Sequence, residues 1–480
     1  MIDVDTVDVG SNHGMNAMKS LSPKPVAEAL IWLMPYISRY STLPTCAYAH
    51  AVYNAKPSAA HPVRMHALEQ MELLLADRAL RLGYGHQQIA ELGKQLRSRP
   101  VIQTGPHCHL IVEPDAFYTH VFSGMGLRSH KDSWYVSYSA STVKFTESAK
   151  KGPGWLRLGD RTLNVFGLSR SKMDPFSICG RHSPQRFALT SSEKMTGASL
   201  LIEELQKNLP DGEFPSAADA IKTANQSLWH RFFASDLQLL QIDDLDVADL
   251  VAQHLRDPSS WLSSTLFGPG SFAKRLLTHL KSFNRDQWSG WAKTTTDFFW
   301  HLSGGRIFPL RLDEGLFLTE DRTFSQRCVP DALVPSLNKG EIIPSLFLSF
   351  LVTSILPGLR ALGGSRQIVY YPIMRQALLS TLAEFPSPAN RSLPASIASD
   401  EEPGMWGHRT ILPGPIDPFS LIAQPGSRFE QLIDFYAAMP LNKAWGSLPA
   451  FTGDPLWQTL CERLAEGTAL QDRPIWLVGT

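Results

Sequence analysis

Short apolar runs of strand character, separated by long helix-periodic stretches, constrain this chain more than any other feature of its sequence. From Pro62 to Leu82, the residues Leu68, Met71, Leu75 and Leu82 share one helical face, and Gly83 stands where a C-terminal cap belongs. Gln87 to Arg97 repeats the pattern with Ile89, Leu92 and Leu96 inward. Pro100 then stops helix and VIQT begins a strand. Ser133 to Gly167 is the most strand-like block: SWYVSYSAS, GWLRL and RTLNVFG are rich in β-branched and aromatic residues and are broken by GPG and GD turns. Helical patterns dominate Gly197 to Leu302, KTTTDFFWHL included. RIFPLRL and LFLTE read as a strand pair across Asp313-Glu314-Gly315, and QIVYY reads as a strand after an apolar helix that ends near Leu356. Helices are expected from Ser427 to Ala438 and from Pro455 to Ala465, with PIWLVGT as a closing strand. Strands interleaved with helices in this way point to an α/β fold.

The expected layout starts with a loose, polar arm over 1–24. A first half of the α/β core follows, 25–196, and then a mostly helical insertion or subdomain, 197–303. A second half of the core covers 304–384, a Pro/Ser-rich loop or linker 385–410, and C-terminal helices with the closing strand 411–480. Lys plus Arg and Asp plus Glu are equal at 45 each. That balance gives no support to nucleic acid or an anionic membrane as a partner, because both attract a basic excess. The most apolar run, Ile342 to Leu359, is bracketed by Pro344 and Pro357, which leave about a dozen residues where a spanning helix needs roughly 20. A buried core helix is the expectation. The first residues, MIDVDTVDVGSNHG, lack the basic and apolar regions of a secretory signal, and the five cysteines are widely spaced with no CxxC pair. Reduced thiols in the cytoplasm are the simplest expectation.

Two stretches carry chemistry. In VIQTGPHCHLIVEPDAFYTH, Val101 to His120, a strand runs into Thr104-Gly105-Pro106 and then His107-Cys108-His109. Thr104 and Gly105 offer a hydroxyl and backbone N–H groups to an anion or nucleotide, with His107 and His109 as catalytic acid–base or charge-stabilising groups. A second reading is a metal site of the form HxHx3E, using His107, His109 and Glu113 on one strand face. A third is a set of structural histidines satisfied by backbone. The other stretch is LPGLRALGGSRQIVYYP. There Gly363, Gly364 and Ser365 let backbone approach a ligand, Arg366 can fork onto a carboxylate or phosphate, and Gln367 and Tyr370 are candidate substrate contacts. Tyr370 and Tyr371 would face opposite sides of a strand. Cys108 and Cys179 are expected to be buried and inert.

Taken together, VIQTGPH at Val101–His107 and ILPGLRALGGSRQIVYY at Ile355–Tyr371 resemble the bacillithiol synthase family of cysteine ligases. That family carries a TGQQ turn early in the chain. It later carries a Leu-Pro, five residues, Gly-Gly and a strand. The resemblance implies a Rossmann-like core sheet with helical insertions and flanking helices. It also implies nucleotide binding, with ATP or ADP as the cofactor, and a reaction that adds cysteine or another amino acid or thiol compound to an acidic small molecule. It nominates Thr104, Gly105, Gly363, Gly364 and Tyr370. Pro106-His107 stands where the family has Gln-Gln, Gln367 where it has Glu, and the acidic EDHD run after its next strand is replaced by WYVSYSAS. These departures leave the substrate open, and they leave room for a non-catalytic member of the same fold.

Overall fold

A computed structural model describes residues 22–159, 161–191, 199–233, 236–424, 429–467 and 474–477. Its centre is a sheet of five parallel strands: β1 (Val101–Gln103), β2 (Trp134–Tyr138), β3 (Gln238–Ile242), β4 (Arg360–Gly363) and β5 (Gly404–Trp406). Their spatial order is β5-β4-β1-β2-β3. The chain therefore steps outward from β1 through β2 to β3, returns to the other side of β1 at β4, and steps outward again to β5. Between β1 and β4 the direction of winding reverses.

The helices that matter for the site are α1 (Pro62–Arg81), α2 (His86–Ser98), α3 (Pro114–His130), α4 (Ala217–Phe232), α5 (Asp244–Arg256), α6 (Gln367–Glu384) and α7 (Pro455–Ala465). Residues along a strand alternate between two hydrophobic cores. Tyr135 packs with Phe117, Val121 and Phe122 of α3 on one face, whereas Trp134 and Val136 pack with Met71, Leu75 and Leu92 of α1 and α2 on the other. Helices cover both faces, so a strand such as WYVSY is buried at every position. The same enclosure explains why α3 is apolar nearly all round.

Several expectations change. QIVYY is not a strand but the first turn and a half of α6, and the strand is the preceding RALG, β4. Ala and Leu are weak strand formers, and pairing with Val101–Gln103 and Gly404–Trp406 fixes that conformation. The stretch 197–303, read as mostly helical, contains the sheet's edge strand β3, and Phe299–Ser303 forms a strand where KTTTDFFWHL suggested helix. The 385–410 stretch is not a free linker: it holds a short helix, Leu393–Ala398, with Leu393 and Ile397 buried, and core strand β5. Asp400 in it pairs with buried Arg64 at 2.7 Å. PIWLVGT forms a short 3-10 turn, Ile475–Leu477, instead of a closing strand, with its last residues outside the described ones. The 1–24 arm lies outside the description up to residue 21, and a helix starts at Pro23. The expected strand pair across Asp313–Gly315 is present, Asp313 opposite Leu316. Among the described residues no helix is long and apolar enough to cross a membrane.

Candidate functional site

The carboxyl ends of β1, β4 and β5 lie side by side at the point where the winding reverses. The Thr104 backbone N–H donates to Leu362 O at 2.7 Å, which extends the β1–β4 pairing by one residue. The Thr104 hydroxyl lies 2.9 Å from the same carbonyl and 2.7 Å from Gln367 Oε1. Gln367 folds back over β4: its Oε1 also accepts from Tyr370 at 3.1 Å, and its Nε2 donates to Ala361 O. A Cβ at Gly363 would fall 1.8 Å from Gln367 Oε1, so only glycine admits this fold-back.

Beyond β5 come Gly407 and His408, whose backbone N–H groups both donate to Gly363 O. A Cβ at Gly105 would lie 2.7 Å from His408 Cγ, and one at Gly364 would lie 3.3 Å from His408 Cδ2. The two glycine corners, more than half the chain apart, therefore close on one imidazole. Thr119 donates its hydroxyl proton to Asp115 O at 2.9 Å, so the 2.8 Å contact with His408 is a bond donated by His408 Nδ1–H. That fixes the tautomer and leaves the lone pair on Nε2. Burial, and next the nearby His107, push His408 down to about 3.

The loop after β1 carries the other histidines. Gly105–Pro106 is a cis peptide. Asn225 of α4 pins the loop, donating to His109 O at 2.9 Å and accepting from the Ile111 N–H at 2.9 Å. His107 Nδ1 and Glu147 Oε1 are 2.6 Å apart. One donor atom each from His107, His109 and Glu147 falls within 4.8 Å of the others. Burial works to raise Glu147, but the His107 hydrogen bond and the surrounding positive charges carry it down to about 2. His109 is pushed down to about 3 by burial, against the pull of Glu147, and is neutral at physiological pH. His109 Nδ1 and Gln103 Oε1 are shielded from solvent and have no hydrogen-bond partner among the described residues. These two unsatisfied polar atoms, one at the end of β1 and one in the loop after it, leave hydrogen-bonding capacity open to a ligand.

Of the residues nominated from sequence, Thr104, Gly105, Gly363, Gly364, Gln367, Tyr370, His107 and His109 gather around these strand ends. Three others do not serve as expected. Glu113 is the N-cap of α3 and accepts from the Asp115 and Ala116 N–H groups, because the chain after Gln103 is loop and not strand. Glu147 supplies the carboxylate beside the histidines instead. Arg366 is turned onto Asp454 at 2.6 and 3.0 Å, and Ser365 donates to Ala450 O. Both tie α6 to the C-terminal helices and leave the glycine corner. Cys108 and Cys179 are buried, and burial raises both thiols, as expected.

Glu147, His408 and Asn225 were not legible as site residues. Glu147 sits 40 residues from its partner in a turn with no motif. The GH of EEPGMWGHRT was masked by the proline-rich stretch before it, although a strand ending in Gly-His repeats the pattern at β1. A groove of about 940 Å³ lies elsewhere, between α1 and α2, and is lined by Leu73, Ala76, Ile89 and Leu92 without an imidazole. No protein-family model matches the chain, and no curated protein matches its sequence. The fold and the corner define a mixed α/β protein with a cluster of histidines at the carboxyl edge of its parallel sheet.

Proposed function

We propose that this chain is a ligase-like biosynthetic enzyme with a Rossmann-like core. It joins cysteine or another amino acid or thiol compound to an acidic small molecule in the cytoplasm, with ATP or ADP as the nucleotide. The observation that carries the reading is the meeting of Gly105 and Gly364 on His408 where the winding of the sheet reverses. In open parallel sheets that point is where ligands bind, and the order β3-β2-β1-β4-β5 is the one found in dinucleotide-binding sheets. The anionic end of a substrate would meet the Gly363-Gly364 backbone at the N-terminus of the 18-residue helix α6. His107 is the candidate acid–base group. Glu147 is ionised and holds the Nδ1 proton, so Nε2 is free to take a proton from an attacking amine or thiol.

The test is thermal unfolding with ATP, ADP and cysteine, singly and together. A ligand at 100 times its dissociation constant stabilises the native state by about 2.7 kcal/mol, a shift easily read. His107→Ala is expected to keep that shift and lose turnover. Absence of any shift with all three ligands overturns the reading.

A further inference from the structure

We propose that His107, His109 and Glu147 bind a divalent transition-metal ion. The inference rests on reading the same cleft as the active site and names the cofactor that the reading lacks. Three donor atoms within 4.8 Å of one another form a compact half-shell. The His107 and His109 rings are nearly parallel, 13° apart, with centroids 6.5 Å from each other. Two imidazoles and one carboxylate suit zinc, iron or nickel; magnesium and calcium prefer oxygen ligands throughout.

A second observation is independent of the cluster's composition. His109 Nδ1 is shut off from solvent with no partner among the described residues, and an unsatisfied buried group of this kind is destabilising unless a ligand takes it up. The supporting backbone is held in place. Cys108 N–H donates to Ala140 O at 3.0 Å and Asn225 clamps the loop on both sides of Leu110, while Glu147 N–H donates to Lys151 O at 2.8 Å on a separate turn. Fixed ligands on two different segments are what a metal centre needs.

Three protein ligands leave coordination positions open, and the His107 side chain is 51% exposed, so the centre is of the open type that admits substrate. An ion seated at His107 Nδ1 would shift that ring's proton to Nε2 and open its 2.6 Å hydrogen bond with Glu147, so that in the loaded protein His107 is a ligand and not a base. A substrate thiol or carboxylate would bind at the open positions, a thiol releasing its proton to solvent as it coordinates. Glu113 plays no part in this set, since both its role and its bonds belong to the start of α3.

The experiment is calorimetric titration of tag-free, chelator-stripped full chain with Zn²⁺, and separately with Mg²⁺. Expected are one Zn²⁺ per chain, no comparable Mg²⁺ binding, and a loss of more than about tenfold in Zn²⁺ affinity for His109→Ala and for Glu147→Gln, but not for Glu113→Gln. Glu147→Gln alters a partly exposed side chain and is the safeguard if His109→Ala fails to fold. No Zn²⁺ binding by the wild type, or equal binding by wild type and Glu147→Gln, overturns the proposal. Thermal shifts with ATP and cysteine, run on stripped and loaded protein, separate the two readings. Shifts without metal binding retain the ligase and remove the metal, whereas metal binding without any shift does the reverse.

Discussion

The carboxyl edge of the sheet has two halves, and they solve the same problem in opposite ways. At the β2–β3 half, polar groups are dense and mostly paired, although Ser137 Oγ and Asp243 Oδ2 have no hydrogen-bond partner among the described residues. Asp244 accepts from the Tyr138 hydroxyl at 2.5 Å and from the Ser141 and Thr142 N–H groups at 2.7 and 2.6 Å. Asp243 is the N-cap of α5 and Asp246 reaches back to it, and Lys222 donates to both carboxylates at 3.0 Å. Burial works against the Lys222 ammonium, but the three aspartates around it outweigh that and hold it above the ordinary lysine range. At the β1–β4–β5 half, glycines replace large side chains, burial keeps the His109 and His408 imidazoles neutral, and Gln103 Oε1 and His109 Nδ1 lack partners among the described residues. The first half carries more charge and is the structural one. What separates the halves is the Lys222-centred charge network at the first and the glycine–imidazole packing at the second; both keep unpaired buried polar atoms.

The sharpest way to break this comparison is Lys222→Met, which keeps volume and removes the charge. Asp243 is fully buried, and stranding it without its cation, while Asp246 keeps Arg78 at 2.6 Å, is expected to cost about 3–5 kcal/mol in chemical denaturation. The deficit should shrink on acidification. An uncompensated buried carboxylate has its folded-state pKa raised, so the penalty is present at neutral pH and is relieved as pH falls through that raised value. Glu147→Gln, at the other half, should cost under about 1 kcal/mol, since its pair with His107 is half open to water. Equal costs at the two positions would erase the distinction between a structural and a ligand-binding half.

A smaller effect tests the glycine corner itself. Gly105→Ala places a Cβ 2.7 and 2.8 Å from His408 Cγ and Cβ, and His408 is held by Thr119 and by its own N–H on Gly363 O. Overpacking of this kind is expected to destabilise by about 1–3 kcal/mol. Gly93→Ala, in the interior of α2 with nothing within 4 Å of its added Cβ, should stabilise by about 0.5–1 kcal/mol. Denaturation midpoints for both variants read the opposite signs. A neutral Gly105→Ala would mean that the corner is not closed on His408.

Legibility followed the range of the forces involved. α1, α2 and α7 were readable because an amphipathic stripe and a proline or glycine stop are local features. The pairing of the two glycine corners was readable because each marks a strand end, and strand ends of one parallel sheet meet. The identity of the strand beside the second corner was not. Gln367–Glu384 is apolar on most of its circumference, so its Ile, Val and Tyr residues imitate a strand, while RALG owes its conformation to neighbours supplied by residues 101–103 and 404–406. Glu147 and His408 reach the site only through tertiary folding, and no spacing in the chain announces them.

Arg366 offers the last and smallest test, because a plausible local reading and the geometry disagree about it. Beside Gly-Gly-Ser it has the chemistry of an anion clamp, yet its guanidinium forks onto Asp454, which is only 10% exposed and also caps α7 through the Leu456 N–H. With the arginine itself 41% exposed, Arg366→Ala should cost under about 1 kcal/mol, and Asp454→Asn should cost more because the cap weakens with it. Combined in a double-mutant cycle, the two changes should be strongly non-additive, since each removes the same pair. Affinity for an anionic ligand at the cleft should stay within about twofold of wild type, where loss of a forked phosphate or carboxylate contact would cost tenfold or more. A tenfold loss in Arg366→Ala with an unchanged Asp454→Asn would return the arginine to the cleft and make its bond to Asp454 a resting position that the ligand displaces.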